Sequence, residues 1–490
     1  MKRIIFTISI LLVTSSFLRA ADVLPITGTF INLFYQDERN KYMNPQSIDN
    51  TEPELWREKV KEMHDMGIEY LVFMAVANDG KADYPSEIMP LNYNPSRKSP
   101  VTAIMDEAER LGMKVFMSIG WAQNQDDNLR IPAILQRQKE IMDELAKIYS
   151  SYKSFYGWYL PVEDCFGPVL TESAVKAVNA LTDKAHKITP GKKTMISPYG
   201  MYCSEFENPK YNEQIKKLKV DIISYQDEIG CVREEYPLPR LKENWKKIAK
   251  IHKECGIELW ANCESFAWEK GTNARNSALI PAATSRILSQ MVAASEAGVC
   301  RIISFAICGI LDSNKGNYLL GQPGVAAQSV VDYEAWRAGD RRWKLLEASF
   351  RGALVGDKAS SDKSMLVDGK MGEEKINDTR WIKNEKGYNN VEMSLTEDGE
   401  VRSIYVRFLS SQKNNVNVPD KVYLYAGQSD GSYSLASVCD IAQFPNNRHD
   451  TWIEGFELPC NILKVTKVKV GFESTCDIMV DEIILNPQIL

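Results

Sequence analysis

Histidine is scarce in this chain, four residues in 490, and three of them (His64, His186 and His252) fall inside segments with helical periodicity, leaving His449 far along the chain. A His-dependent triad or a His-ligated catalytic metal therefore has little to draw on. The ten cysteines form no CxxC pair. That argues against a zinc site and a dense disulfide framework, while one or two bridges, for instance among Cys439, Cys460 and Cys476, stay open. No P-loop or HExxH sequence occurs, and no GxSxG lies within residues 28–340. Charge of one sign is not concentrated: 59 Lys and Arg against 65 Asp and Glu give a net charge of -6, which does not describe a nucleic-acid surface. Beyond residue 20 no stretch approaches the ~20 apolar residues of a transmembrane helix.

What is present begins with a leader. Lys2 and Arg3 precede an apolar run from Ile4 to Val13, and small residues lead to Leu18-Arg19-Ala20. This pattern predicts a secretory signal peptide over 1–20, and hence export to the periplasm, cell surface or medium. No cysteine near Ala20 supports a lipid anchor. The chain as a whole, at 44% apolar and 25% charged, has the composition of an ordinary globular protein, and the part after the leader is long enough for two or three domains.

From Gly28 to about residue 340, short β-branched or aromatic runs alternate with longer amphipathic segments. Strands are expected at 28–35, 68–77, 113–121, 155–163, 193–199, 220–226, 257–264 and 299–308, and helices at 53–66, 99–111, 171–188, 239–255 and 277–297. Met66-Gly67, Leu111-Gly112, Cys255-Gly256 and Ala297-Gly298 each place glycine where a helix should stop. Eight such units fit a (β/α)8 barrel over 21–350. An open doubly wound sheet is the rival, disfavoured because no GxGxxG follows the first strand. After a polar connector at 351–364 the helical pattern ends, and alternating runs at 401–408, 421–426, 463–472 and 477–485 predict an all-β sandwich over 365–490.

In such a barrel the chemistry lies at the C-terminal ends of the strands. The fourth strand ends in Trp158-Tyr159-Leu160-Pro161-Val162-Glu163 and the seventh in Trp260-Ala261-Asn262-Cys263-Glu264. Taken singly, a strand-end glutamate is more often a salt-bridge partner or a helix cap than a catalyst. Two of them across the mouth, among aromatics, supply what glycoside hydrolysis requires: one carboxyl to protonate the leaving oxygen, another to attack or to activate water. Burial near Trp158 would raise the pKa of Glu163. Asp227, after the sixth strand, is positioned to modulate Glu264, to bind sugar hydroxyls or to replace Glu264 in a different pairing, and Glu228 beside it reads equally as a solvated loop residue. Tyr35, Trp121, Tyr199, Tyr225 and Trp268 offer faces for sugar rings, and Asn78, Asn124, Gln226 and Asn262 offer hydrogen bonds. No catalytic cofactor is called for. The partner so implied is an oligo- or polysaccharide; sugar, linkage and oligomeric state are not legible, and a non-catalytic glycan-binding protein on a decayed barrel is the alternative.

The strand-four and strand-seven glutamates resemble clan A of the retaining glycoside hydrolases, which implies Glu163 as acid/base and Glu264 as nucleophile; Val162 stands where many clan members carry Asn. Gly157-Trp158-Tyr159-Leu160-Pro161 with Glu163, Ser224-Tyr225-Gln226-Asp227 with Gly230, and Trp260-Ala261-Asn262 with Glu264 and Phe266 are similar to an uncharacterised family of secreted bacterial barrel proteins grouped with the glycosidases. Asp368-Gly369 followed by Trp381 resembles the opening of discoidin-type, galactose-binding-like sandwiches. That resemblance implies ligand-binding loops at one end and a structural calcium ion, whose ligands the sequence does not identify.

Overall fold

The computed structural model describes residues 23–34, 41–43, 45, 47–120, 130–162, 166–231, 238–268, 277–282, 284–313, 315–322, 325–338, 348–350, 363–367, 372–373, 375–440 and 451–485. Eight parallel strands close on themselves: β1 (Ile26–Ile31), β2 (Tyr70–Phe73), β3 (Lys114–Ser118), β4 (Phe155–Tyr159), β5 (Lys193–Ile196), β6 (Ile222–Gln226), β7 (Glu258–Glu264) and β8 (Arg301–Phe305). Each pairs with its sequence neighbours and β8 returns to β1, so the open-sheet rival is excluded. The helices α1 (Pro53–Asp65), α2 (Pro100–Leu111), α3 (Pro132–Tyr149), α4 (Glu172–Ile188), α5 (Pro209–Ile215), α6 (Leu238–Cys255), α7 (Thr284–Ala297) and α8 (Val325–Arg337) alternate with them.

Near-continuous apolar runs make these strands because both faces are buried, one against the helices and one inside the ring. The barrel interior is filled in layers. Tyr70 and Phe116 stack at 6.4 Å and both meet Trp260 edge-on at 5.2 and 5.8 Å, with the Arg301 guanidinium 4.5 Å from the Tyr70 centroid. Towards the C-terminal ends of the strands, Phe30 packs on Tyr159 at 5.2 Å and on Phe305 at 6.1 Å.

The glycine stops serve as expected. Gly112 caps α2 at φ 72°, its amide bonded back to Ala108 and Glu109. A Cβ there would meet nothing within 4 Å, so the left-handed φ alone selects glycine. The predicted helix over 277–297 is corrected: Leu279–Pro281 is a strand pairing antiparallel with Phe266–Trp268, and α7 starts only at Thr284, because Pro281 cannot donate inside a helix.

The C-terminal strands are β9 (Ala348–Phe350), β10 (Ile382–Asn384), β11 (Gly387–Ser410), β12 (Lys421–Gly427), β13 (Tyr433–Asp440), β14 (Trp452–Ser474) and β15 (Ile478–Leu485). The long strands β11 and β14 pair with each other along most of their length within one seven-stranded sheet. Gly387–Ser394 of β11 pairs with Lys467–Ser474 of β14, and after register shifts between Ser394 and Ser403 the remainder pairs with Trp452–Pro459 and with β15. Bulges of this kind bend a strand and increase its twist. Ala348–Phe350 pairs with Leu395–Met393, so this strand, on the barrel side of the predicted connector, belongs to the C-terminal sheet. Arg407 and Asp481 form a buried ion pair there. Gly372 donates its amide to the Asp481 carboxylate at 2.6 Å, and the guanidinium sits 5.3 Å from the Trp381 centroid.

Gly112→Ala is expected to cost about 1 kcal/mol, the penalty for a Cβ in the left-handed region. Urea denaturation against wild type measures it, and an unchanged midpoint contradicts the φ-only account.

Candidate active site

Alternation along β7 sends Trp260, Asn262 and Glu264 into the barrel, and Glu264, closing the strand, stands at its mouth with 4% of its surface exposed. A carboxylate so placed loses its water and needs other donors. The turn after β6 supplies them. Glu264 Oε2 accepts from the backbone amides of Gly230 and Cys231, both at 2.8 Å, and Oε1 accepts from the Cys231 thiol at 3.1 Å. The approach is so close that a Cβ on Gly230 would stand 2.9 Å from Oε2 and 2.8 Å from the Phe266 carbonyl oxygen.

Beneath Glu264 lies Asp227, fully buried. Its Oδ1 accepts the Glu264 backbone amide at 3.1 Å and its Oδ2 accepts from Gln290 Nε2 at 2.7 Å. Arg286, one turn earlier on α7, donates to the Glu264 carbonyl at 2.8 Å and to that of Phe266 at 2.6 Å. The main chain on both sides of Glu264 is thus held from the helix layer. Burial pushes the Glu264 carboxyl above the ordinary carboxylate range and the neighbouring Asp227 charge adds to this, against the Cys231 donors and Arg286. Burial likewise raises Asp227.

Glu228 is a third carboxyl in this region. It is buried at φ 57°, a left-handed conformation unusual for glutamate. Its Oε2 accepts the amides of Gly200 at 2.9 Å and Tyr202 at 3.4 Å. Burial pushes its pKa up to about 8, and the Glu264 charge acts in the same direction.

The other sequence-predicted residues divide. Asn262 Nδ2 donates to Ser197 Oγ at 3.1 Å, and its Oδ1 has no hydrogen-bond partner among the described residues. Gln226 donates to the Ser197 carbonyl at 2.9 Å. Trp268 lies edge-on to Phe266 at 5.9 Å, next to Glu264 in sequence, and Tyr199, 39% exposed, follows β5 on the rim. Asn78 lies in a tight hairpin after β2, donating to Asp79 at 3.2 Å. Glu163, Tyr35, Trp121 and Asn124 lie outside the described residues, and with Glu163 goes the carboxyl separation that distinguishes retention from inversion. Two expectations are corrected. Asp227 offers no surface to a sugar. Tyr225 is not on the rim but packs against α6, its hydroxyl 3.1 Å from Nε2 of His252, a buried imidazole whose pKa falls to about 4. Trp158 is also in the helix layer, donating to Thr189 at 2.7 Å. Gly230, Cys231, Arg286 and Gln290 were not read as site residues, although an Arg and a Gln four apart on an apolar helix are a readable signal.

Among the described residues no group of three or more His, Cys, Asp or Glu side chains is placed to hold a metal, and Asp368 and Gly369 lie outside them. No helix of the described residues is long and apolar enough to cross a membrane. Cys476 is a free thiol.

The pattern of a domain of unknown function, DUF4434, matches residues 26–317, the barrel strands and the cluster around Glu264 included. The chain belongs to the DUF4434 family. The DUF4434 chain is similar in structure to a candidate alpha-L-fucosidase from Bacteroides thetaiotaomicron VPI-5482, with TM-score 0.52 and 21% identity over 67% of this chain and 98% of that one. A Ruminococcus gnavus GH29 fucosidase in complex with fucose aligns at TM-score 0.35 and 11% identity over 95% of both chains. A family 32 carbohydrate-binding module from Streptococcus pneumoniae EndoD aligns at TM-score 0.20 and 12% identity over 29% of this chain and 93% of that one. No curated protein matches this DUF4434 chain.

Glu228 gives the site a pH signature. Its folded pKa of about 8 lies above the ordinary 4.5, so its contribution to stability is whole below about pH 4.5 and is lost as pH rises through about 8. Glu228→Gln is expected to flatten the decline in unfolding midpoint between these limits. A slope unchanged from wild type contradicts the raised pKa.

Proposed function

We propose that the barrel is a glycoside hydrolase using a pair of carboxyls, with Glu264 as nucleophile and Glu163 as acid/base, acting on a glycan outside the cytoplasm. The observation that carries this reading is Glu264 itself: a buried carboxyl closing the seventh strand of a closed barrel, with its main chain clamped by Asp227, Arg286 and Gln290. Fixed geometry of this kind is what a nucleophile that must meet an anomeric carbon in line requires. Glu163 enters through the Gly157–Pro161 sequence and its place after the fourth strand, and export through residues 1–20.

With Oε2 held by two amides, Oε1 is the oxygen free to attack once the weaker thiol contact yields. Formation of the Oε1–anomeric carbon bond expels the leaving oxygen, which takes its proton from Glu163. Water, deprotonated by the same Glu163, then cleaves the glycosyl ester and restores both groups.

One observation favours a second reading, a barrel that binds glycan without cutting it: both Glu264 oxygens are already engaged by the 230–231 turn. Hydrolysis of a panel of glycosides, alpha-L-fucosides included, decides between the two. Glu264→Gln and Glu163→Gln are each expected to lower kcat by roughly a thousandfold. Absence of hydrolysis in wild type, with glycan binding intact in both variants, overturns the catalytic reading.

Gly230→Ala is expected to lose most of that activity with little change in α/β content, because the added carbon displaces either the turn or the Glu264 carboxylate. Wild-type kcat in the folded variant contradicts a role for the turn.

A further inference from the structure

One outer face of the sandwich departs from the usual alternation of apolar-in and polar-out. On its strands Val422, Leu424, Ala426, Val468, Val470 and Phe472 point inward and fill the core. The outward positions carry Tyr388 on β11, Tyr423 and Tyr425 on β12, and Tyr433 on β13. Tyr423 and Tyr425 stack at 6.1 Å and 22°. Gly471 lies opposite Tyr423, and a Cβ on it would stand 2.5 Å from the Tyr388 hydroxyl. Its missing side chain therefore lets Tyr388 lie across β14 and bring its hydroxyl to 3.4 Å from that of Tyr425. The patch is open: Tyr388 is 46% exposed, Leu435 56% and Val438 49%. A bulge between Leu424 and Tyr425 in the β12–β13 pairing turns both Leu435 and Val438 to this side.

Lysines run between the rings. Lys469 Nζ stands 4.7 Å from the Tyr425 centroid and 4.4 Å from that of Tyr433, and Lys467 Nζ 4.7 Å from Tyr433. Lys467 donates to the Gly431 carbonyl at 3.2 Å, and among the described residues neither lysine is paired with a carboxylate. Of the carboxylates on the face, Glu473 accepts from Tyr423 at 2.5 Å, and Glu392 stands opposite Lys469 in the β11–β14 pairing and beside Tyr433. Lys467 is near enough to Asp430 to favour its charged form, but in neither lysine is the ammonium closed off in an ion pair, so both can also meet charge from outside.

We propose that this tyrosine-lysine face binds an acidic polysaccharide, a pyranose chain carrying carboxylate or sulfate groups. Tyrosine packs its apolar body on sugar C–H faces and keeps its hydroxyl wet, and the lysines select anionic substituents. A broad open face suits an extended chain, whereas a single terminal sugar is held in a concave pocket. The face is distinct from the end loops implied by the discoidin resemblance, and it stands whether or not the barrel cleaves its glycan.

The test is affinity electrophoresis of the full chain in gels containing polygalacturonate, chondroitin sulfate or neutral hydroxyethylcellulose. Retardation is expected in at least one acidic gel and not in the neutral one, weakening with added salt. Tyr425→Ala and the double variant Lys467→Glu/Lys469→Glu should each bind about tenfold more weakly at an unchanged melting midpoint, with Tyr425→Phe close to wild type. Three results overturn the proposal: no retardation in either acidic gel, equal retardation in the neutral gel, or a dimer in sedimentation that Tyr425→Ala dissolves, which makes the face a self-association surface.

Discussion

The site depends on replacing the water that Glu264 loses inside the barrel mouth. Moving a carboxylate out of water costs several kcal/mol even after relaxation, and here two backbone amides and a thiol take over the solvation. That requirement fixes much around it. Position 230 must lack a side chain, the 229–231 turn must fold over the end of β7, and Asp227 must sit beneath to accept the Glu264 amide. Arg286 and Gln290 on α7 then anchor the same stretch of backbone. The cost of burying carboxyls at this point, with the Asp227 charge adding to it at Glu264, is a proton held more tightly, which ties protonation to the integrity of the mouth.

How much of this was legible depends on whether the information was local. The eight barrel strands were readable because burial on both faces leaves continuous β-branched and aromatic runs, and the glycine stops because a left-handed φ is a property of one residue. Helix α5, seven residues long, is too short to show a period. The start of α7 was misplaced because the apolar run across Pro281 belongs to a hairpin strand. In the sandwich, 401–408 and 463–472 were recognised as strands, but not as parts of two strands of 24 and 23 residues that pair over most of their length, since that pairing is decided by partners far away in sequence.

The site divides in the same way. Glu264 was readable from its place at a strand end. Glu228 was not, because its burial depends on the amides of 200–202 and on its own φ of 57°. The aromatic company credited to the two glutamates was partly an illusion of sequence adjacency: Trp158 and Tyr225 alternate away from the interior, and the rings near Glu264 are Phe266, Trp268 and Phe305.

Trapping with a 2-deoxy-2-fluoro glycoside of a sugar the enzyme cleaves, followed by mass spectrometry of the digested protein, tests the central assignment most directly. One glycosyl ester on Glu264 is the expected result. An adduct on Asp227, Glu228 or Glu163, or hydrolysis that releases the inverted anomer with no adduct, contradicts it.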